Sequence, residues 1–73
     1  MSLIDEVRAR KLPSLKSRLP IRERAGVSQI RMAAELGVHR TTFIRWESGA
    51  IEPRGDNRQR YARLLTDLQQ ASR

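Results

Sequence analysis

Apolar residues recur along this chain in short helical groups separated by glycine, proline and hydroxyl residues, and no stretch alternates as a strand does. Ser2 and Asp5 have the spacing of a capping box. They predict a helix over residues 3 to about 11 with few apolar positions: Leu3, Ile4 and Val7. Leu12-Pro13 breaks it, because proline pushes the residue before it out of helical geometry. Between residues 14 and 25, Leu15, Leu19 and Ile21 sit among charges, and Gly26 is placed as a helix C-cap. Pro20 costs ~3 kcal/mol in a helix interior. The pattern therefore predicts a short helix over 21–25, with a looser turn before it.

The next signals are clearer. Ser28 is a good N-cap, with Val27 before it as a hydrophobic staple. A helix over 29–36 follows, with Ile30, Met32, Ala33 and Leu36 as its apolar positions. Gly37 supplies the positive φ that turns the chain, Val38 inserts inward, and a second helix runs from about 40 to 48 until Gly49 stops it. Residues 49–55, GAIEPRG, form a loop. Asp56 and Gln59 repeat the capping-box spacing before a last helix over 57–70. In it Tyr61, Leu64, Leu65 and Leu68 form one stripe at i, i+3, i+4 and i+7.

Size and composition narrow the classes. A chain of 73 residues makes one small domain, which buries only roughly 60% of its unfolded surface and has little core to spare for a substrate cavity. With no cysteine and one histidine, disulfides, thiolate metal sites and His-rich metal sites are excluded. No apolar run approaches a membrane span. Asp5 and Glu6 near the start do not suit a signal peptide. The expectation is a soluble, cytoplasmic protein with no membrane partner, no cofactor and no small-molecule ligand. Fifteen Lys+Arg against eight Asp+Glu leave a net charge of +7, which points to a polyanionic partner. All the basic residues are arginine except Lys11 and Lys16. Arginine is the better forked donor to phosphate and guanine, although a GC-rich genome accounts for the same bias.

Residues 29–49 resemble the helix-turn-helix domain shared by phage Cro and repressor proteins and many bacterial regulators, the XRE-like, lambda-repressor-like family. With Gln29 as the first position, the family's small fifth residue is Ala33 and its glycine at the ninth is Gly37. Its apolar fourth, eighth, tenth, fifteenth and eighteenth positions are Met32, Leu36, Val38, Phe43 and Trp46. The ending Trp46-Glu47-Ser48-Gly49, with Pro53 beyond, matches the usual exit from the recognition helix. The likeness covers about residues 20 to 68. It implies an all-α fold, a small bundle of four to five short helices around a central helix-turn-helix. Residues 1–12 form a short helix or arm, and 13–73 the DNA-binding domain.

The residues agree with what the resemblance implies. Two helices joined by so short a turn cross steeply. Phe43 and Trp46, three apart, share an inward face. Thr41 and Arg45, four apart, lie away from it, and Arg40 is read on that side too, so the outward face is basic and hydroxylated. A helix fits the major groove of DNA, where an arginine forks onto guanine at ~1–3 kcal/mol of discrimination. By the resemblance, Arg40, Thr41 and Arg45 are the base-reading residues. Thr42 contacts a thymine methyl or a phosphate, or is a partly buried hydroxyl. Ile44 departs from the family's polar residue and either presses on a thymine methyl or tucks against Ile51. His39 stands where Ser or Thr usually caps. Imidazole caps poorly, and it is read as a phosphate contact that strengthens on protonation.

Gln29 resembles the family's phosphate-binding glutamine. Ser28, Ser48 and Arg54 join the backbone contacts. Arg31 stands where the family often has glutamate. That is unfavourable for the helix dipole, so it is offset by a phosphate or by Glu35 at i+4. In relatives the residue matching Glu47 pairs with an arginine of the first helix, which implies an Arg22–Glu47 ion pair.

The expected function is sequence-specific binding of double-stranded DNA as a transcriptional regulator, as a homodimer at least when on DNA. One alternative is a protein-interaction module, such as an antitoxin or regulator subunit, using the helix 57–70 or Leu3, Ile4 and Val7. RNA binding is disfavoured because single-strand readout wants exposed aromatics and Phe43, Trp46 and Tyr61 read as core. An enzyme is disfavoured because paired carboxylates, a nucleophile–histidine spacing and a glycine-rich phosphate loop are missing.

Overall fold

The computed structural model describes residues 3, 4 and 11–72. Four principal helices follow in order: α1 Leu15–Ala25, α2 Gln29–Leu36, α3 Arg40–Ser48 and α4 Gly55–Ala71. There is no strand among the described residues, and the fold is the expected all-α bundle. Most of the helix expected over residues 3 to 11 lies outside the described residues. Within that span Leu3 and Ile4 are helical and exposed, and Lys11 is already a bend.

The α2–turn–α3 unit forms for local reasons. The Ser28 hydroxyl accepts the Arg31 amide at 3.1 Å, capping α2. At its far end Gly37 takes φ 69°, so that the Gly37 and Val38 amides reach back to Ala34 O and Ala33 O at 3.2 and 3.0 Å. Ala33, Met32 and Leu36 turn inward. Ile30 does not: it is 62% exposed and is no part of the apolar stripe expected of it. It lies roughly 160° around α2 from Met32 and roughly 120° from Leu36, so the core-facing arc is narrower than the apolar composition.

A buried cluster joins Leu12, Ile21, Met32, Ala33, Leu36, Phe43, Trp46, Tyr61, Ala62 and Leu65. Tyr61 of α4 is its centre. Phe43 meets it edge-on at 5.6 Å between ring centroids, and Trp46 lies tilted against it at 5.8 Å. Leu64 and Leu68 pack at the margin of the cluster. The inward face of α3 is therefore fixed against α4.

The first and last helices differ from the expectation. α1 is not confined to 21–25. It starts at Leu15 and carries Pro20 inside it, with Leu15 and Leu19 exposed. Proline deprives the Lys16 carbonyl of its helical donor, but Lys16 and Pro20 both lie at the surface, where water reaches them. Two arginines on either side of the proline are anchored to the rest of the protein, which holds both halves of α1 in line. α4 starts at Gly55 and not at 57, with Arg54 in the N-cap position and no side-chain cap. Asp56 is thus inside the first turn, where it suits the helix dipole, and the Asp56–Gln59 capping box does not form. The loop before it is set by tertiary contacts: Pro53 is buried, and Glu52 is bonded to Arg18.

Candidate nucleic-acid interface

α3 turns one face to the core and one to solvent. Phe43, Trp46 and Glu47 are buried, Thr42 and Ile44 are half-buried, and Thr41, Arg45 and Ser48 are exposed. At 3.6 residues per turn those three fall within roughly 60° of one another. Arg40 is exposed because it opens the helix. It lies roughly 140° around from Arg45, so it stands at the helix tip and not on the Thr41–Arg45 side expected for it. Neither Arg40 nor Arg45 takes part in an ion pair among the described residues. His39 occupies the N-cap position of α3 with an extended backbone and no side-chain cap bond, which leaves the first amides of α3 and an exposed imidazole at the same end.

The acid of α3 faces inward. Glu47 is 8% exposed. Its carboxylate accepts Arg22 Nε at 2.6 Å, Arg22 Nη2 at 3.0 Å and Gln29 Nε2 at 3.2 Å. Arg22 Nη1 donates to Val27 O at 2.9 Å. The hydrogen bond to Glu47 holds the Arg22 guanidinium above its ordinary pKa, against the opposing effect of burial. This forked pair neutralises Glu47 within the protein, so the exposed surface of α3 is purely basic and hydroxylated.

Gln29 is half-buried and has one amide hydrogen committed to Glu47, leaving its second for an outside acceptor. Arg31 is exposed and bonds Glu35 at 3.0 Å, the i,i+4 pair that offsets its place at the start of α2. Ser28 caps α2. Ser48 Oγ donates to Arg45 O at 3.3 Å and accepts the Ala50 amide at 3.4 Å, shaping the exit from α3. Arg54 is exposed at the start of α4. Ile44 is half-buried and Ile51 half-exposed.

Arg18 was missed by sequence reasoning. It is 5% exposed and donates four hydrogen bonds: Nε to Pro13 O, Nη1 to Trp46 O and to Glu52 Oε1, all at 3.0 Å, and Nη2 to Glu52 Oε2 at 3.1 Å. A signal existed, since Arg18, Ile21, Arg22 and Ala25 have helical i, i+3, i+4, i+7 spacing. Reading Pro20 as a helix start hid it. The Tyr61 hydroxyl is buried and has no hydrogen-bond partner among the described residues. Burial pushes its pKa well above the usual tyrosine range, with Glu47 adding to the effect.

The sequence profile of the helix-turn-helix family matches residues 21–66, more than half of the 73 residues. No characterised protein and no solved structure matches the chain. Among the described residues no helix is long and apolar enough to cross a membrane. The Ala33–Gly37 crossing, the inward Phe43–Trp46 face, the basic outer face of α3 and the profile over 21–66 agree: the chain belongs to the XRE-type helix-turn-helix family of DNA-binding transcription regulators.

Proposed function

We propose that this regulator is a small repressor of the Cro kind that occludes an operator by placing α3 in the major groove. Arg40, Thr41 and Arg45 read base edges. Ser28, Gln29, Arg31, His39, Thr42, Ile44, Ser48 and Arg54 make backbone or secondary contacts around them. The observation that carries this reading is the division of α3: its acid is buried and neutralised by Arg22, while both its arginines are exposed and in no ion pair among the described residues. Such a surface suits the acceptor-rich edge of guanine, where each forked arginine is worth about 1–3 kcal/mol. Phosphate contacts supply much of the affinity. With on the order of 4–6 per subunit, log K falls with log salt at about −0.9 per contact. The protein binds as a homodimer, at least on DNA, to half-sites about 34 Å apart.

The test is selection from a random duplex library at ~150 mM salt, with wild type and Arg40→Ala/Arg45→Ala. A palindromic motif enriched by wild type and lost in the double variant is expected. Equal, featureless enrichment by both proteins sinks the reading. It would turn attention to a protein partner, whose complex would survive the two substitutions.

A further inference from the structure

We propose that Arg18 is a positioning residue for sequence reading: it fixes the C-terminal end of α3, and with it the angle at which α3 meets DNA. The inference rests on the DNA-reading role of α3 and adds a residue that the helix-turn-helix pattern does not assign.

Arg18 and Arg22 are one turn apart on α1, so they project from the same side. Their targets are consecutive in α3. Arg18 donates to the Trp46 carbonyl, and Arg22 to the Glu47 carboxylate. The Trp46 carbonyl is among the last four of α3, which have no donor within the helix. A buried cation there also suits the negative end of the helix dipole. The same guanidinium forks onto Glu52 and reaches Pro13 O. Glu52 also lies 3.7 Å from Arg58 of α4. One side chain thus ties together the start of α1, the end of α3, the exit loop and, through Glu52, α4.

The geometry makes this more than packing. α3 has 9 residues, about 13 Å of helix; Phe43 and Trp46 seat its inward face on Tyr61, and Arg18 adds a polar tie at its C-terminal end. A small tilt at Trp46 is carried to Arg40 and Thr41 at the far end. An apolar side chain in place of Arg18 would fill the space but leave the Trp46 carbonyl without this donor, so that the angle of α3 is set by packing and the Arg22–Glu47 pair alone. Arg18 itself is buried and makes no contribution as a phosphate contact.

The experiment compares wild type, Arg18→Met, Arg18→Lys and Glu52→Gln by three readouts. These are the ratio of affinity for the selected operator to that for random duplex, the salt dependence on random duplex, and amide hydrogen exchange. The Ile51 amide, bonded to Arg45 O at 3.3 Å, reports on the end of α3. In Arg18→Met the specificity ratio is expected to fall about tenfold, as when one well-placed base contact is lost. The salt slope should stay at the wild-type value, because no phosphate contact is removed. Ile51 should lose protection while core amides of α4 keep theirs. Arg18→Lys should rescue only in part, since an ammonium cannot fork onto Glu52 and also reach two carbonyls.

A folded Arg18→Met with an unchanged ratio and unchanged Ile51 protection overturns the proposal. A parallel loss of specific and random-duplex binding does the same. Should Arg18→Met fail to fold, Glu52→Gln decides at the surface: a lowered ratio and faster Ile51 exchange support the role, and wild-type values for both refute it. If wild type itself shows no sequence preference, the operator reading has failed, and Ile51 exchange alone still tests whether Arg18 holds α3.

Discussion

The arginines that α3 carries and the arginines that hold α3 form two sets with opposite environments. Arg40 and Arg45 are exposed and take part in no ion pair among the described residues. Arg18 and Arg22, on α1, are largely enclosed and bonded within the protein, Arg18 through four hydrogen bonds and Arg22 through three. The residue type is the same, and what separates the sets is where carboxylates lie. Glu47 and Glu52 neutralise the inner pair, while the exposed arc of α3 has no acid to neutralise the outer pair. The count of 15 Lys+Arg therefore overstates the cations free for DNA: at least two arginines are held inside the protein, each balanced by a carboxylate.

Breaking the inner set should cost stability first. Arg22→Ala leaves Glu47 buried without its forked partner, and urea unfolding should show a loss of about 3–5 kcal/mol. The outer set should behave in the reverse way. Arg45→Ala is expected to leave the unfolding midpoint near wild type, within the ~0.5 kcal/mol of an ordinary surface substitution. It should weaken operator binding by about 1–3 kcal/mol in titrations against the selected site. Equal effects of the two substitutions on stability would erase the distinction.

A buried polar group without a charge sharpens the comparison further. Tyr61 Oη is buried with no partner among the described residues, so Tyr61→Phe should raise stability by about 1 kcal/mol, at the low end of what an orphaned buried group costs. A clear loss on thermal melting would mean that the hydroxyl is bonded in solution.

The smallest effect is a pH dependence. Its hydrogen bonds from Arg18 hold Glu52 below its ordinary carboxylate value of 4.5. A depressed carboxylate contributes stability above the unfolded pKa and loses it as pH falls through the folded one. The stability gap between wild type and Glu52→Gln should thus be full at neutral pH, narrow below 4.5 and close at more acid pH. Glu52 is 49% exposed, so solvent screening keeps the gap small. A gap that widens on acidification would contradict the assigned pairing.

Much of this was legible because the signals were local. Ser28, Gly37 and Gly49 mark their helix ends by backbone chemistry confined to a few neighbours. At Gly49 the local reason is its φ of 84°; the Leu15 Cδ2 that a Cβ there would meet at 2.6 Å comes from α1 and is a tertiary reason beside it. Phe43, Trp46, Tyr61 and Leu65 follow the helical period and are buried as that period implies. Ile30 shows the limit of periodicity, since an apolar residue on α2 needs a neighbouring element to cover it and none of the described residues does.

The sequence by itself determined the α2–turn–α3 unit, the inward face of α3 and the excess of positive charge, because caps, glycines and periodicity act within a turn or two of helix. Only the tertiary structure decided the length of α1, the start of α4 and the division of the arginines. Arg18 meets Glu52 across 34 positions and Arg22 meets Glu47 across 25. Whether an arginine is a clamp or an exposed cation depends on which carboxylate the fold brings to it, and burial makes that pairing obligatory: a charge taken out of water needs its partner, while a charge left in water does not.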